Sequence, residues 1–198
     1  MAGKFIVFEG GDATGKSTQA RLLAERRGAR FTFEPGDCSI GPAVRSILLD
    51  PANDHLSFRA EALLYAADRA QHVEEVIRPT LESGVDVVAD RYVSSSVVYQ
   101  GIGRGFGAAA IAEISRFATG GLLPDITVLL DVDPSLSDRR LGGDRDRLEQ
   151  AGDEFHRMVR QGYLDLAEGD DSWLVIDSSG SIAEVAVRID AGVTEILP

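Results

Sequence analysis

Residues 10–17 read Gly-Gly-Asp-Ala-Thr-Gly-Lys-Ser, the G-x-x-x-x-G-K-[ST] spacing of a phosphate cradle. Gly10 and Gly15 allow the backbone to turn tightly, so that the N–H groups of residues 11 to 17 can ring a polyphosphate. Lys16 then meets the β- and γ-phosphates, and the Ser17 hydroxyl is a ligand for Mg²⁺. The run before the motif, FIVFE at 5–9, reads as a buried strand. The run after it, 16–27, reads as a helix whose N-terminus favours negative charge. A plain glycine turn would not need Lys and Ser at those offsets. The cradle alone does not say where the phosphate goes.

The rest of the chain supplies the frame. Strands are expected at 30–34, 85–91, 125–133 and 173–179. Helices are expected at 41–50, 57–83, 94–100, 108–119, 150–168 and 181–197, with Pro79 a kink or near-end signal. Strands separated by helices mean an α/β domain with a parallel sheet covered on both faces. The glycine-started, charged stretch 142–149 reads as a mobile loop. At 198 residues a single domain, 1–198, is expected. Twenty Lys and Arg against 32 Asp and Glu give a net charge of −12, which argues against non-specific binding to nucleic acid or an anionic membrane. Any anion must therefore be held by a local cluster of cations. Cys38 is alone, and the apolar run at the N-terminus is too short for a secretion signal, so a reducing, cytoplasmic compartment is expected.

A GTPase switch would carry N-K-x-D, but the only asparagine, Asn53, is followed by Asp54 and His55. A large mechanical ATPase needs more chain. A small phosphotransferase remains, and it needs a second anion site for its acceptor. Three stretches supply candidates: FEPGDCSIGPAVRSILL at 33–49, AEALLYAADRAQH at 60–72 and DRYVSSSVVYQG at 90–101. With the cradle and the later DVDP and DRLE, they resemble the thymidylate kinase family, bacterial type with lid arginines, over nearly the whole chain. The resemblance implies a P-loop nucleoside monophosphate kinase fold, a five-stranded parallel sheet flanked by helices, with a short lid at about 139–149. It implies transfer of the ATP γ-phosphate to dTMP with Mg²⁺, and a homodimer.

The same resemblance distributes roles. Gly10, Gly11, Asp12, Ala13, Thr14, Gly15, Lys16, Ser17 and Thr18 would hold ATP, and Ser17 with Asp90 would hold the metal. Arg91 and Arg45 would bind the dTMP phosphate; the lesser alternative for Arg45 taken alone is a solvated helix charge. Tyr65 and Arg69, four apart, share a helix face. The family stacks the aromatic on thymine and sets the arginine at its edge; the alternative is a packed Tyr65 and an Arg69 paired at the surface with Asp68. Ser96 would lie near the base, Tyr99 under the sugar, and Gln100 and Glu34 on the acceptor side. Asp12 would meet the 3′-hydroxyl or a metal-bound water. A cis Glu34–Pro35 bond is implied, against an ordinary turn. Residues 177–179 would close over adenine. His55, His72 and His156 show no metal spacing, and Trp173 reads as core.

Three departures stand out. Phe33 occupies the position where the family usually has Arg before E-P-G, and Asp37 and Cys38 replace the commoner Gly-Thr. Asp12 is followed by Ala13 rather than by an arginine, so the transition-state cation is expected from the lid. That lid carries Arg139, Arg140, Arg145 and Arg147, and lacks the Arg-x-Arg run usual in the family just after Arg140. Arg145 is the expected principal donor, with Arg140 and Arg147 supporting.

Overall fold

The computed structural model describes residues 2–133, 136–137 and 146–197. Five strands form one sheet: β1 (Phe5–Glu9), β2 (Arg30–Phe33), β3 (Val87–Asp90), β4 (Ile126–Asp131) and β5 (Trp173–Asp177). Every pairing is parallel and the spatial order is β2-β3-β1-β4-β5. All of β1 and β3 is buried, which explains why their sequences are apolar almost throughout rather than alternating.

Successive side chains of β1 enter different cores, as a strand's period of two requires. Ile6 and Phe8 pack with Ala20 and Leu23 of α1 (Lys16–Arg27) and with Val185 and Ile189 of α8 (Ile182–Ile196). Phe5 and Val7 pack on the other face with Val73, Ile77 and Leu81. Those three belong to the long helical stretch that starts as α3 (Phe58–His72), widens to a π-turn at Val73–Ile77 and ends as α4 (Arg78–Glu82). Pro79 stands in the first turn of that last segment, where its missing N–H is tolerated. Ser57 caps α3 by accepting from the Ala60 N–H, and Ser181 with Glu184 forms a full capping box on α8.

The other helices are α2 (Gly41–Leu49), the short α5 (Val93–Ser96) running into a π-turn at Val97–Gly103, α6 (Ala108–Thr119) and α7 (Asp153–Ala167). Compared with the sequence expectation, β3 stops at Asp90 because Arg91 leaves the strand with φ 73°. Residues 147–150 form a turn; the rest of the expected mobile loop, 142–145, lies outside the described residues. The C-terminal ends of β1, β3 and β4 come together at the crevice where strand order reverses, the usual place for a ligand in such sheets.

Candidate active site

The cradle grows directly out of β1. Gly10 has φ 140°, and a Cβ there would come within 2.5 Å of the Leu130 carbonyl oxygen, so no side chain fits. Ala13 takes the left-handed φ of 56°, and Gly15, φ 96°, turns the chain into α1. Lys16 is buried and folds back over the loop: its ammonium donates to the Gly11 carbonyl and lies 3.5 Å from Thr14 Oγ1. Burial, and then the nearby Arg91 cation, lower its pKa to about 8. Ser17 and Thr18 are exposed on the first turn of α1. Ser17 Oγ donates to Asp90 Oδ2 at 2.5 Å, while Asp90 Oδ1 is buried without a hydrogen-bond partner among the described residues. A buried, unsatisfied carboxylate oxygen beside a hydroxyl is a donor set suited to a hard divalent cation.

Arg91 is brought in by a strained turn. Its N–H donates to Phe8 O at 2.9 Å, which fixes the left-handed backbone. The guanidinium donates to Asp12 Oδ1 at 2.5 Å, to Ser95 Oγ at 3.2 Å and to the Gly10 carbonyl at 3.3 Å. It lies 5.2 Å from the centre of the Tyr99 ring, whose hydroxyl donates to Asp12 Oδ2 at 3.0 Å. Burial alone would raise the Asp12 pKa; Arg91, then Lys16 and the Tyr99 hydrogen bond, outweigh it and hold the carboxyl below its ordinary range. The acid inside the cradle is thus an ionised partner of the cation that ends β3.

A cleft of about 590 Å³, where the acceptor was expected, opens on one side of the cradle, lined by Asp12, Arg45, Tyr65, Arg91, Ser96 and Tyr99 among others. Arg69 lies beneath it, fully buried, and is not paired with Asp68 at the surface. Its Nε donates to Glu34 Oε2 at 2.8 Å, Nη1 to Ser96 Oγ at 3.1 Å and Nη2 to the Tyr92 carbonyl at 2.9 Å. Glu34–Pro35 is a cis bond. Arg45 Nη1 donates to the Pro35 carbonyl at 2.8 Å, with its guanidinium 5.7 Å from the Phe33 ring centre. Gln100 lines the cleft and donates to Glu61 Oε1 at 2.9 Å.

Arg147, expected among the ATP contacts, stands elsewhere. Its Nη2 is 2.6 Å from Glu61 Oε2, and its Nε donates to the Leu48 carbonyl at 2.9 Å. Glu61 is fully buried and also faces Arg104, so a second buried carboxylate claims this cation. The arginine ties residues 146–149, which help wall the acceptor cleft, to α2 and α3. Arg139, Arg140 and Arg145 lie outside the described residues. A second cleft, also about 590 Å³, opens on the other side of the cradle between the end of β4 and α7. There Arg160 clamps Asp131 through two bonds of 2.7 and 2.8 Å. After β5, the Ser178 N–H donates to the Asp131 carbonyl, which fixes 177–179 to the same edge.

Several residues of the site escaped the sequence reading. Glu9 accepts from the N–H groups of Tyr92 and Ser95 and from the hydroxyls of Ser95 and Tyr163. Its one visible signal was a carboxylate closing an otherwise apolar strand. Arg21, on α1, lies 4.0 Å above the Phe31 ring centre and lines the acceptor cleft. Among the described residues no three His, Cys, Asp or Glu side chains form a metal cluster.

Comparison with known proteins gives one consistent answer. The family model described as thymidylate kinase matches residues 8–189. A thymidylate kinase of Cutibacterium acnes is 48% identical, covering 100% of this chain and 99% of its own. One of Leifsonia xyli subsp. xyli is 50% identical over 94% of this chain and 92% of its own. The crystal structure of the Ehrlichia chaffeensis thymidylate kinase superposes with a TM-score of 0.80 at 28% identity, covering 96% and 98% of the two chains. Sheet order, cradle and crevice are those of the P-loop nucleoside monophosphate kinase fold, and the chain belongs to the thymidylate kinase family.

Proposed function

We propose that this chain transfers the γ-phosphoryl group of ATP to dTMP, giving dTDP and ADP. The observation that carries the reading is the junction of Asp12, Arg91 and Tyr99, where the cradle opens into the acceptor cleft. A cation on the cradle's rim can hold an acceptor phosphate in line with a donor phosphate lying over Lys16. The acceptor oxygen then attacks the γ-phosphorus, the bond to the bridging oxygen breaks, and ADP leaves with the electron pair. No covalent enzyme intermediate is needed. Arg45 would be the second cation on the acceptor phosphate, Tyr65 the platform for the base, and Arg69 with Ser96 the hydrogen-bonding edge. Glu34 holds Arg69, and Gln100 completes the wall. Mg²⁺ at Ser17 and Asp90 would neutralise charge on the ATP phosphates when bound.

The whole chain, 1–198, would act as one domain with its lid at about 139–149, and Arg145 would be the principal lid donor with Arg140 in support. Arg147, held by Glu61, would instead set the acceptor wall. The free thiol of Cys38 suits a cytoplasmic protein. No helix of the described residues is long and apolar enough to cross a membrane. No nucleic-acid partner is proposed for so acidic a chain. A homodimer is proposed, supported by α3 and α6, which pack together and leave Leu63 and Phe117 exposed, the latter by 89%.

Four measurements check this reading. In a coupled ADP-release assay across the common nucleoside monophosphates, dTMP should give the highest kcat/KM; a preference for AMP or UMP would sink it. ATP binding should take up a proton near about pH 9, because a triphosphate beside Lys16 restores the charge that is lost above a pKa of about 8 in the free enzyme. ATP affinity should therefore fall as pH rises beyond that point, and calorimetry in buffers of differing ionisation enthalpy reads the proton directly. Arg145→Ala should lower kcat by a factor on the order of 10² while the KM for dTMP changes little. Should Arg140→Ala alone collapse kcat, the lid supplies the cation from another position. Light scattering should give twice the mass of one chain, and Phe117→Asp should shift it toward the monomer; a monomeric parent protein would refute the dimer.

A further inference from the structure

Below the acceptor cleft a chain of polar groups joins Arg69 to a buried histidine that the transfer chemistry does not use. His72, in the last turn of α3, is fully buried. Its Nε2 lies 2.5 Å from Thr32 Oγ1, and its Nδ1 lies 2.9 Å from Glu34 Oε1. On one side the Thr32 hydroxyl donates to Asp37 Oδ2 at 2.7 Å, an oxygen that also faces Arg30 at 3.0 Å. On the other side, Glu34 Oε2 accepts from Arg69, whose remaining nitrogens reach Ser96 and the Tyr92 carbonyl. The connection runs unbroken from the loop after β2 to the floor of the acceptor cleft.

Counting hydrogens decides what His72 is. The contacts Asp37–Thr32, Thr32–His72 and His72–Glu34 each need one hydrogen. The threonine hydroxyl has one, a neutral imidazole has one, and ionised carboxylates have none. The Thr32 hydrogen is used on Asp37, so Thr32 Oγ1 accepts from Nε2–H. Nδ1 then faces a carboxylate that is already paired with Arg69, and the missing hydrogen belongs on the ring. The surroundings agree. Asp37 and Glu34 face the ring from the β2 side, and Asp68 lies one turn back on its own helix beside the Gly36 N–H and the Cys38 thiol. Burial, and then Glu34, push the Asp68 carboxyl up to about 6, so this volume is already short of positive charge. Without an imidazolium, three carboxylates would share Arg30 and Arg69 alone.

We propose that His72 is a positioning residue of acceptor recognition: as an imidazolium donating to Thr32 and Glu34, it fixes the carboxylate that aims Arg69 at the acceptor base. The proposal rests on the reading that Arg69 contacts that base. His72→Gln should raise the KM for dTMP roughly tenfold, the scale of one hydrogen bond to a charged group, while kcat and the KM for ATP stay within about twofold. Arg69→Ala, assayed in parallel, should raise the KM for dTMP at least as much. If Arg69→Ala has no such effect, the base contact and the proposal with it fall. If Arg69→Ala has the effect and His72→Gln does not, or lowers kcat and both KM values together, the positioning role alone is overturned. A second measurement needs no variant: nitrogen NMR of the parent protein near neutral pH should show both ring nitrogens of His72 protonated. One bare ring nitrogen would overturn the proposal even if His72→Gln failed to fold.

Discussion

The site depends on one buried carboxylate, Glu9. Four donors converge on it, two from the backbone of the turn after β3 and two hydroxyls, one of them from α7. Burial raises its pKa against the pull of those bonds, so their number and geometry decide whether it sits there at all. They fasten the strand that launches the cradle to the turn that launches Arg91. A non-glycine residue at φ 73° costs on the order of 1–2 kcal/mol, and it persists only where neighbours over-determine it. Glu9 on the next two turns of chain, and Phe8 O on the Arg91 N–H, provide that determination. The cradle and the Arg91 turn are therefore held at a fixed offset.

The same design recurs around the acceptor cleft. Glu34 sits under Arg69 and His72, and Glu61 under Arg104 and Arg147. Buried pairs of this kind add little net stability, since desolvation offsets most of the Coulomb gain. Their value is geometric: Arg69 is held in one orientation by three hydrogen bonds at once, and Arg147 by its Nε bond to the Leu48 carbonyl beside the Glu61 charge. The paired arginines project from α3, the π-turned stretch after α5 and the turn at 147–150, while Glu61 and Arg69 sit on α3 itself. That helix thereby becomes the common floor of the acceptor side.

Local rules made the cradle legible from the chain. The glycines, Lys16 and Ser17 lie within eight residues, and their strand and helix carry clear apolar periods. β1 is equally readable, because a fully buried parallel strand leaves a short Val- and Phe-rich run, whereas β3 is shorter at both ends than the run at 85–91 suggests. Asp12 and Arg91 could be nominated but not joined, being 79 residues apart and meeting only through the β1–β3 pairing. Metal spacing is blind to a histidine such as His72, whose partners are Thr32 of β2 and Glu34 in the turn after it. Arg147 was grouped with its lid neighbours by proximity in sequence, whereas a buried carboxylate 86 positions earlier decides where it points. Long-range pairing of charges, unlike helical or strand periodicity, leaves no local trace.

The contact between Asp12 and Arg91 bears on which anions can occupy the site. A ligand that takes Arg91 must displace Asp12, leaving that carboxylate only the Tyr99 hydroxyl and the nearby Lys16 charge. Inorganic phosphate or sulfate can replace the carboxylate on the arginine but brings nothing to satisfy it. On the proposed reading, a nucleotide would bring a dianion and a sugar hydroxyl on one rigid frame, and both former partners would be re-satisfied together. The pair would then act as a filter against the small anions that crowd any cell, admitting a ligand for carrying two matched groups rather than for its charge.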